Sequence, residues 1–474
     1  MSKGGTSIPA EVEFRKYHAA PDDEFVGLLR EMLPHRLNAL MAAAMAIGRV
    51  SPFLEVGAEF CLNGMLLAGS MQADGFCADV SFDALKSADD YAKRLGLGAV
   101  PSRVQANAHR LPFPNRSFPF VLFWGSLHHF DDPRRAMLEA WRVLAPDGFL
   151  YFDEEPIKRR LVLPLFATGV VPYELSRLEK LLLDAGILPF IARIGAKAEL
   201  KRGIREVKFS MREFYGLFER FDLVRLEFRP VLTGGIPSAP GWGRRLAERF
   251  AVERERFLTE WFGGEVAGLA VPRKRAARTS GGTLLVARHP SHDRIGLDSR
   301  PRPDGVRIMG RDVRAVSDDG GFVWFEIPDD LRNIGWLSVE LGDGEIELDR
   351  VALDSSHARG VFFQYSFYGN PAALACPDCV YVRSFCEWSR CNRNCATVCA
   401  RGAISFADGI RIDADACDGC GDCIFACPFE AIDRPVLKRT DSGLACEVCG
   451  KIFEVRDGIA VALDADTRKL LGMG

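Results

Sequence analysis

Cysteine is nearly absent from most of this 474-residue chain. Two of the fourteen, Cys61 and Cys77, precede Cys376, and the other twelve fall between Cys376 and Cys449. That confinement, in close C-x2-C pairs, argues against a disulfide framework and for metal ligation at one end. A strong charge of one sign is missing too: the formal net charge is −3, so nothing global draws the chain to nucleic acid or to an acidic membrane surface. Long hydrophobic runs are lacking. The apolar stretch Leu161 to Val171 spans eleven residues with an internal proline, against about 20 for a bilayer span. The N-terminus carries Glu11, Glu13, Arg15 and Lys16 and no apolar run, so no signal peptide is visible. A cytoplasmic protein with no membrane span is expected. No internal repeats occur outside the cysteine-rich end.

Apolar residues at 48% supply ordinary cores, and the length allows about three domains of roughly 150 residues. Residues 1–50 read as mostly helical. Short apolar runs then alternate with amphipathic helices. Strands are expected at Pro52–Val56, Gly75–Val80, Arg103–Ala106, Phe118–Trp124 and Phe149–Phe152, and helices at Leu62–Ala73, Asp83–Leu95 and Pro133–Leu144. This alternation predicts βαβ units around a parallel sheet, an α/β, Rossmann-like, doubly wound fold. Leu223–Phe228 and Gly282–Ala287 are expected to close the sheet, with helical insertions over 160–220 and 235–270 forming a substrate lid. The first domain thus covers 1–290. A polar stretch over 291–310 reads as a linker. Short runs at Phe322–Ile327, Ile334–Leu341, Ile346–Leu353 and Val361–Tyr365 predict a small β-sandwich over 311–370. The cysteine-rich domain occupies 371–465.

Two cysteine signatures are nested there. The inner one ends in Cys417-x2-Cys420-x2-Cys423-x3-Cys427-Pro428, preceded by a looser copy, Cys386-x4-Cys391-x3-Cys395-x3-Cys399. The short loop brings three thiolates to one iron–sulfur cube, and the fourth cysteine of such a run ligates a second cluster. The segment 384–434 resembles bacterial ferredoxins with two [4Fe-4S] clusters. The resemblance assigns Cys417, Cys420, Cys423 and Cys399 to one cluster, and Cys386, Cys391, Cys395 and Cys427 to the other. Ala400 stands where the family has proline in the first copy. The outer signature is Cys376-x2-Cys379 and Cys446-x2-Cys449, separated by 66 residues. Four thiolates from two knuckles form the tetrahedral set of a structural zinc; iron, or reduced thiols that only pack, are the alternatives. Its flanks, with Asp457-Gly458-Ile459-Ala460-Val461 following, resemble the zinc ribbon of methyltransferase activator subunits, over 371–383 and 435–465, interrupted by the ferredoxin module.

Residues 53–155 resemble class I S-adenosylmethionine (SAM) methyltransferases of the type 11 kind. The matching segments are Phe53-Leu54-Glu55-Val56-Gly57, Gly75 to Ser81, Asn107 to Pro114, Phe120 to His129 and Ala140 to Leu150. By that resemblance Glu55, Gly57, Asp79, Asn107, Ala108 and Trp124 bind the cofactor, with Asp79 taking the ribose hydroxyls. The family's G-x-G-x-G loop reads Gly57-Ala58-Glu59-Phe60-Cys61 here. Glu59 would either crowd the amino-acid end of SAM and repel its carboxylate, or attract the ammonium or sulfonium. His128 and His129 close the fourth strand without a fixed catalytic role in the family, and no catalytic residue is assigned. The acidic run Asp153-Glu154-Glu155 lies at the edge where such sheets bind ligands, or else forms a solvated loop.

Two main functions follow, with an assembly scaffold, suggested by the β-sandwich, as a third. One is a SAM-dependent methyltransferase carrying an iron–sulfur module, acting on a small-molecule or biosynthetic-intermediate substrate, with a redox partner. The other is an iron–sulfur electron-transfer protein whose degenerate methyltransferase fold serves for docking.

Overall fold

The computed structural model describes residues 8–18, 23–48, 50–158, 160, 208–230, 254–261, 264–273, 278–279, 282–283, 285–288, 294–298, 305–308, 310–319, 322–329, 336–341, 344–349, 373–382, 386, 392–406, 409–427 and 431–473. Cys391, the strand expected at Val361–Tyr365 and most of the insertion expected over 160–220 lie outside them.

Two helices open the chain, α1 (Ile8–His18) and α2 (Asp23–Ile47). Strands β1 (Phe53–Val56), β2 (Gly75–Asp79), β3 (Ser102–Gln105), β4 (Phe118–Trp124) and β5 (Leu144–Ile157) alternate with α3 (Leu62–Met71), α4 (Phe82–Leu95) and α5 (Pro133–Val143). Local chemistry sets these helices. Ser81 caps α4 by accepting from the Ala84 N–H, acid and base sit at its opposite ends, and Gly96 ends it in a left-handed turn. Asp132 caps α5 with Pro133 at its first turn. β4 is buried along its whole length, as befits a central parallel strand covered on both faces. It pairs in parallel with β1 and β5.

The closing strands differ from expectation. β6 (Phe221–Pro230) lies near the expected place, but its neighbour is β7 (Gly264–Pro272), antiparallel to both β5 and β6. That segment was expected to be helical. Its Val-Ala-Gly-Leu-Ala-Val run is buried on both faces and shows neither a helical nor a strand period, which is where periodicity fails. Gly282–Ala287 does not close this sheet: Leu285–Arg288 instead starts a seven-stranded antiparallel sheet. Arg294–Asp298 and Gly305–Ile308, inside the stretch read as a linker, also belong to that sheet. The Ser, Asp, Arg, Pro and Gly residues around them read as linker, while the strands themselves carry Ile295, Leu297, Val306 and Ile308. Val306, Ile308, Val323, Phe325 and Ile327 form its buried side.

The cysteine-rich end is built onto the α/β domain. Its strand Ile459–Val461 pairs in parallel with β3, extending the main sheet to nine strands with Val455–Arg456 outermost. The edge that β3 would otherwise present to solvent is thereby paired. The loop after β3 docks below. The Ala375 N–H donates to Pro112 O at 2.8 Å. The Asn115 N–H and Nδ2 donate to Asp433 Oδ1 (2.8 Å) and Ile432 O (3.0 Å). Arg142, fully buried, braces this loop from α5 through Leu111 O (2.8 Å) and Phe113 O (2.6 Å). Among the described residues no helix is long and apolar enough to cross a membrane.

Asp433 is buried and also accepts from the Arg434 N–H. The variant Asp433→Ala leaves two buried donors without their acceptor and is expected to cost about 1–3 kcal/mol. A lower melting temperature together with faster proteolysis near residues 110–116 is the expected result; an unchanged melt would remove this contact from the docking account.

Candidate functional site

The carboxyl ends of β1, β2 and β4 open into one cleft, the usual ligand edge of such sheets. Just beyond β1, Gly57 adopts a left-handed conformation (φ 72°), and a Cβ there would stand 2.7 Å from Ser126 Cβ. The N–H groups of Gly57 and Ala58 donate to Ala78 O at 2.9 and 3.1 Å. Glu59 and Cys61 also sit at positive φ, 48° and 64°, where a non-glycine residue is strained by roughly 1–2 kcal/mol. The Glu59 N–H donates to Asp79 Oδ2 (2.9 Å) and the Ser81 N–H to Asp79 Oδ1 (2.8 Å). Burial pushes the Asp79 carboxyl up to about 6, against the opposing pull of the Ser81 N–H and Arg15.

The Glu59 side chain turns to α1 and pairs with Arg15, which also holds Glu11 at 2.8 Å. Neither Arg15 nor Glu11 was expected at the site. Their helix shows no motif, and only the tertiary fold brings it over the glycine loop. The cleft, about 780 Å³ including its solvent-open mouth, is lined by Gly57, Asp79, Asn107, Ala108 and Trp124 together with Arg15, Glu11 and His129. Five of the six expected residues therefore meet. The sixth, Glu55, lines an adjoining arm on the other side of the glycine loop, beside Arg36, Asn63 and Glu154. There it ties down the start of α3, accepting from Asn63 Nδ2 and the Gly64 N–H, both at 2.8 Å. Burial pushes its carboxyl up to about 7. Cys61 and Cys77 are buried below, their thiols pushed up by the same desolvation.

Asn107 shapes its own loop. Its Oδ1 accepts from the His109 N–H (2.9 Å), and its Nδ2 donates to Thr467 Oγ1 (2.8 Å) in the C-terminal helix Ala465–Leu470. His128 is buried with Nδ1 3.0 Å from Glu155 Oε2, while Glu155 Oε1 accepts from the N–H groups of Ser126 and Leu127. That pair braces the turn after β4, whereas His129 faces the cleft. The acidic run is not a solvated loop: Asp153 and Glu155 are wholly buried. Asp153 pairs with Arg229, and Glu154 meets Arg36 at 3.1 Å in the cleft arm.

Among the described residues of the cysteine-rich end, two groups of cysteines stand apart. The sulfurs of Cys376, Cys379, Cys446 and Cys449 lie within 4.8 Å of one another, with Cys376–Cys449 at 3.7 Å and Cys379–Cys446 at 3.5 Å. Sulfurs around a tetrahedral ion bound at about 2.3 Å stand about 3.8 Å apart, so the four suit a single ion. Cys395, Cys423, Cys399, Cys417 and Cys427 share a separate apolar cluster with Ile404, Ile424 and Ile432. Around it the chain repeats itself. Short helices Asn394–Thr397 and Asp422–Ala426 each begin after a left-handed residue. Cys399 and Cys427 each accept from the N–H four residues on, Ala403 at 3.4 Å and Ala431 at 3.3 Å. Partial symmetry and N–H···S bonds fit thiolates held around iron–sulfur clusters, whose properties depend on such bonds.

Residues 54–152 match a methyltransferase domain family, and residues 387–437 match the LdpA Fe-S cluster-binding domain. The chain is 36% identical over 84 residues to an uncharacterized methyltransferase, YcgJ, of Bacillus subtilis, covering 17% of this chain and 33% of that protein. It is 36% identical over 73 residues to the ubiquinone/menaquinone biosynthesis C-methyltransferase UbiE of Psychromonas ingrahamii, covering 15% and 29%. The cysteine-rich segment is 41% identical over 54 residues to the electron transport protein HydN of Escherichia coli, covering 10% and 31%. The chain thus spans about a third of the length of the curated relatives it matches. Among solved structures, the MccD protein is similar with a TM-score of 0.33 and 16% identity, covering 50% of this chain and 96% of that one. A structure containing the Haloferax volcanii Trm112 methyltransferase activator gives 0.32 and 17%, covering 54% and 97%.

A vicinal diol bound at Asp79 needs the ionised carboxylate as acceptor. Because burial lifts this group to about 6, affinity for such a ligand is expected to hold above that pH and to fall as pH drops through it, by up to about tenfold per unit. Titrations of S-adenosylhomocysteine between pH 5 and 8 check this; a flat profile would separate Asp79 from the ligand.

Proposed function

We propose that this chain is a SAM-dependent methyltransferase acting on a small-molecule acceptor, with an iron–sulfur module and a structural zinc ribbon built onto the same domain. The observation that carries the reading is the convergence of Gly57, Asp79, Asn107, Ala108 and Trp124, from separate strand ends, on one cleft. When bound, SAM supplies an electrophilic methyl group. Asp79 would hold its ribose, the 107–108 loop would border its adenine, and Gly57 lets backbone approach the ligand without a Cβ in the way. Arg15 and Glu59 form an ion pair at the cleft, matching the carboxylate and ammonium of an amino-acid end. Glu59 at the second glycine position is drawn to Arg15, which offsets part of its charge while also holding Glu11. Trp124, His129 and the α1 residues Glu11 and Arg15 wall the cleft and would serve positioning, which methyl transfer chiefly requires.

In this reading Cys417, Cys420, Cys423 and Cys399 hold one [4Fe-4S] cluster, and Cys386, Cys391, Cys395 and Cys427 hold the second. Cys376, Cys379, Cys446 and Cys449 hold zinc. The second reading, an electron-transfer protein using the methyltransferase fold only for docking, draws on the likeness of the cysteine-rich segment to HydN. It differs in predicting no affinity for SAM.

Calorimetry with anaerobically purified protein tests the proposal. S-adenosylhomocysteine is expected to bind, and Arg15→Ala to weaken it by about 10- to 100-fold, the worth of a charge-assisted hydrogen bond of roughly 1.5–3 kcal/mol. 5′-Methylthioadenosine, which lacks the amino-acid end, should bind both forms alike. No binding of either ligand to the wild-type chain sinks the methyltransferase reading. Metal analysis supplies a second check: Cys446→Ser should release zinc while iron content stays unchanged, and loss of iron with zinc retained would reverse the two assignments.

A further inference from the structure

The ligand loop of the first proposed cluster is tied by arginines to the 107–111 loop that lines the cleft. Arg135, near the start of α5, connects them with a single guanidinium. Its Nη2 donates to Cys420 O, its Nη1 to Asp422 Oδ1 at 2.7 Å, and its Nε to His109 O at 3.3 Å. The guanidinium stacks on the Phe425 ring at 4.6 Å. His109 belongs to the loop that lines the cleft. A parallel tie runs from Arg110 Nη1 to Asp418 O at 3.2 Å. The cysteine loop cannot retreat from these contacts. Gly419 (φ 68°) is packed so that a Cβ would stand 2.3 Å from the Asp378 backbone. Arg434, wholly buried, donates to Gly419 O at 3.2 Å and Pro377 O at 2.9 Å. Its Nε and Nη2 have no hydrogen-bond partner among the described residues.

We infer that Arg135 is a positioning residue that couples the redox state of the Cys417–Cys420–Cys423 cluster to cofactor affinity in the cleft. The inference rests on the iron–sulfur and SAM readings above. Reduction by one electron, drawn from a low-potential one-electron donor, places an extra negative charge beside Arg135. The guanidinium follows that charge and loosens its hold on His109 O, so the 107–111 loop packs less firmly on an adenosyl ligand. Conversely, a ligand that fixes the loop holds Arg135 toward His109 and makes reduction harder. Linkage requires the two effects to be equal. An Arg is suited to this task because its planar fork spreads donors over three nitrogens and so reaches separated acceptors, whereas a lysine's three donors share one nitrogen.

The test is an EPR-monitored potentiometric titration, with dithionite as reductant, of the anaerobic full-length chain with and without saturating S-adenosylhomocysteine. The ligand is expected to lower the cluster's midpoint potential by an amount matching an affinity loss of about threefold or more on reduction, which is about 28 mV for a one-electron couple. Calorimetry on the oxidised and reduced protein should return the same factor. Arg135→Lys keeps the charge but loses the three-way bridge. With cluster absorbance and iron content unchanged, it should keep its ligand-free potential and lose the shift. A wild-type potential that moves by less than about 10 mV while the ligand demonstrably binds overturns the coupling and leaves the methyltransferase reading standing. A full shift in Arg135→Lys overturns the role of Arg135. Failure of the ligand to bind wild-type protein overturns both.

Discussion

The structure depends on a buried set of charges where the two halves of the chain meet. Glu139 and Arg142 on α5 are wholly buried and pair at 2.8 Å. Arg142 and Glu139 together hold the backbone of Leu111 and Phe113 and the side chain of Asn115, and that loop in turn binds Asp433 and Ile432 of the cysteine-rich module. Arg434 lies next to them, its charge opposed by burial and supported by Glu139. A buried charge is tolerated only when paired and hydrogen-bonded. Glu139 and Arg142 compensate each other within α5, while Arg434 draws on Glu139 and Asn115 on Asp433 across the junction, so removing the α/β half leaves Arg434 without its opposing charge.

This constraint explains why the metal-binding end is not a loosely attached appendage. Its strand Ile459–Val461 completes the main sheet, its helix Ala465–Leu470 receives Asn107, and its knuckle residue Asp378 holds Lys451, Arg468 and the Ala465 N–H. The loop that borders the cleft is accordingly shaped from both sides. Electrons and a methyl donor would be bound within one packed unit, with arginines as the material between them.

How much was legible beforehand follows from the range of the interactions. The order of β1 to β5 with α3 to α5 was readable because apolar runs, caps and turns are local signals. The four-cysteine set, whose sulfurs the fold brings together, and the repeated cysteine run stand out in the sequence because their spacings are those that metal sites use. β7 was misread because a strand buried on both faces carries no alternation. The strands at 294–298 and 305–308 read as linker because Ser, Asp, Arg, Pro and Gly crowd the residues around them. Arg15 went unnoticed as a cleft residue because nothing in α1 marks it.

By itself the sequence determined which chemistries are present: a glycine-loop α/β domain and a cysteine-rich metal module. Both are written in short stretches whose residues must sit close together in the chain. Only the tertiary structure decided how those chemistries are joined. Glu59 faces Arg15 across 44 residues, and Arg135 faces Cys420 across 285. Such pairings are fixed by the packing of whole layers, and no local pattern encodes them.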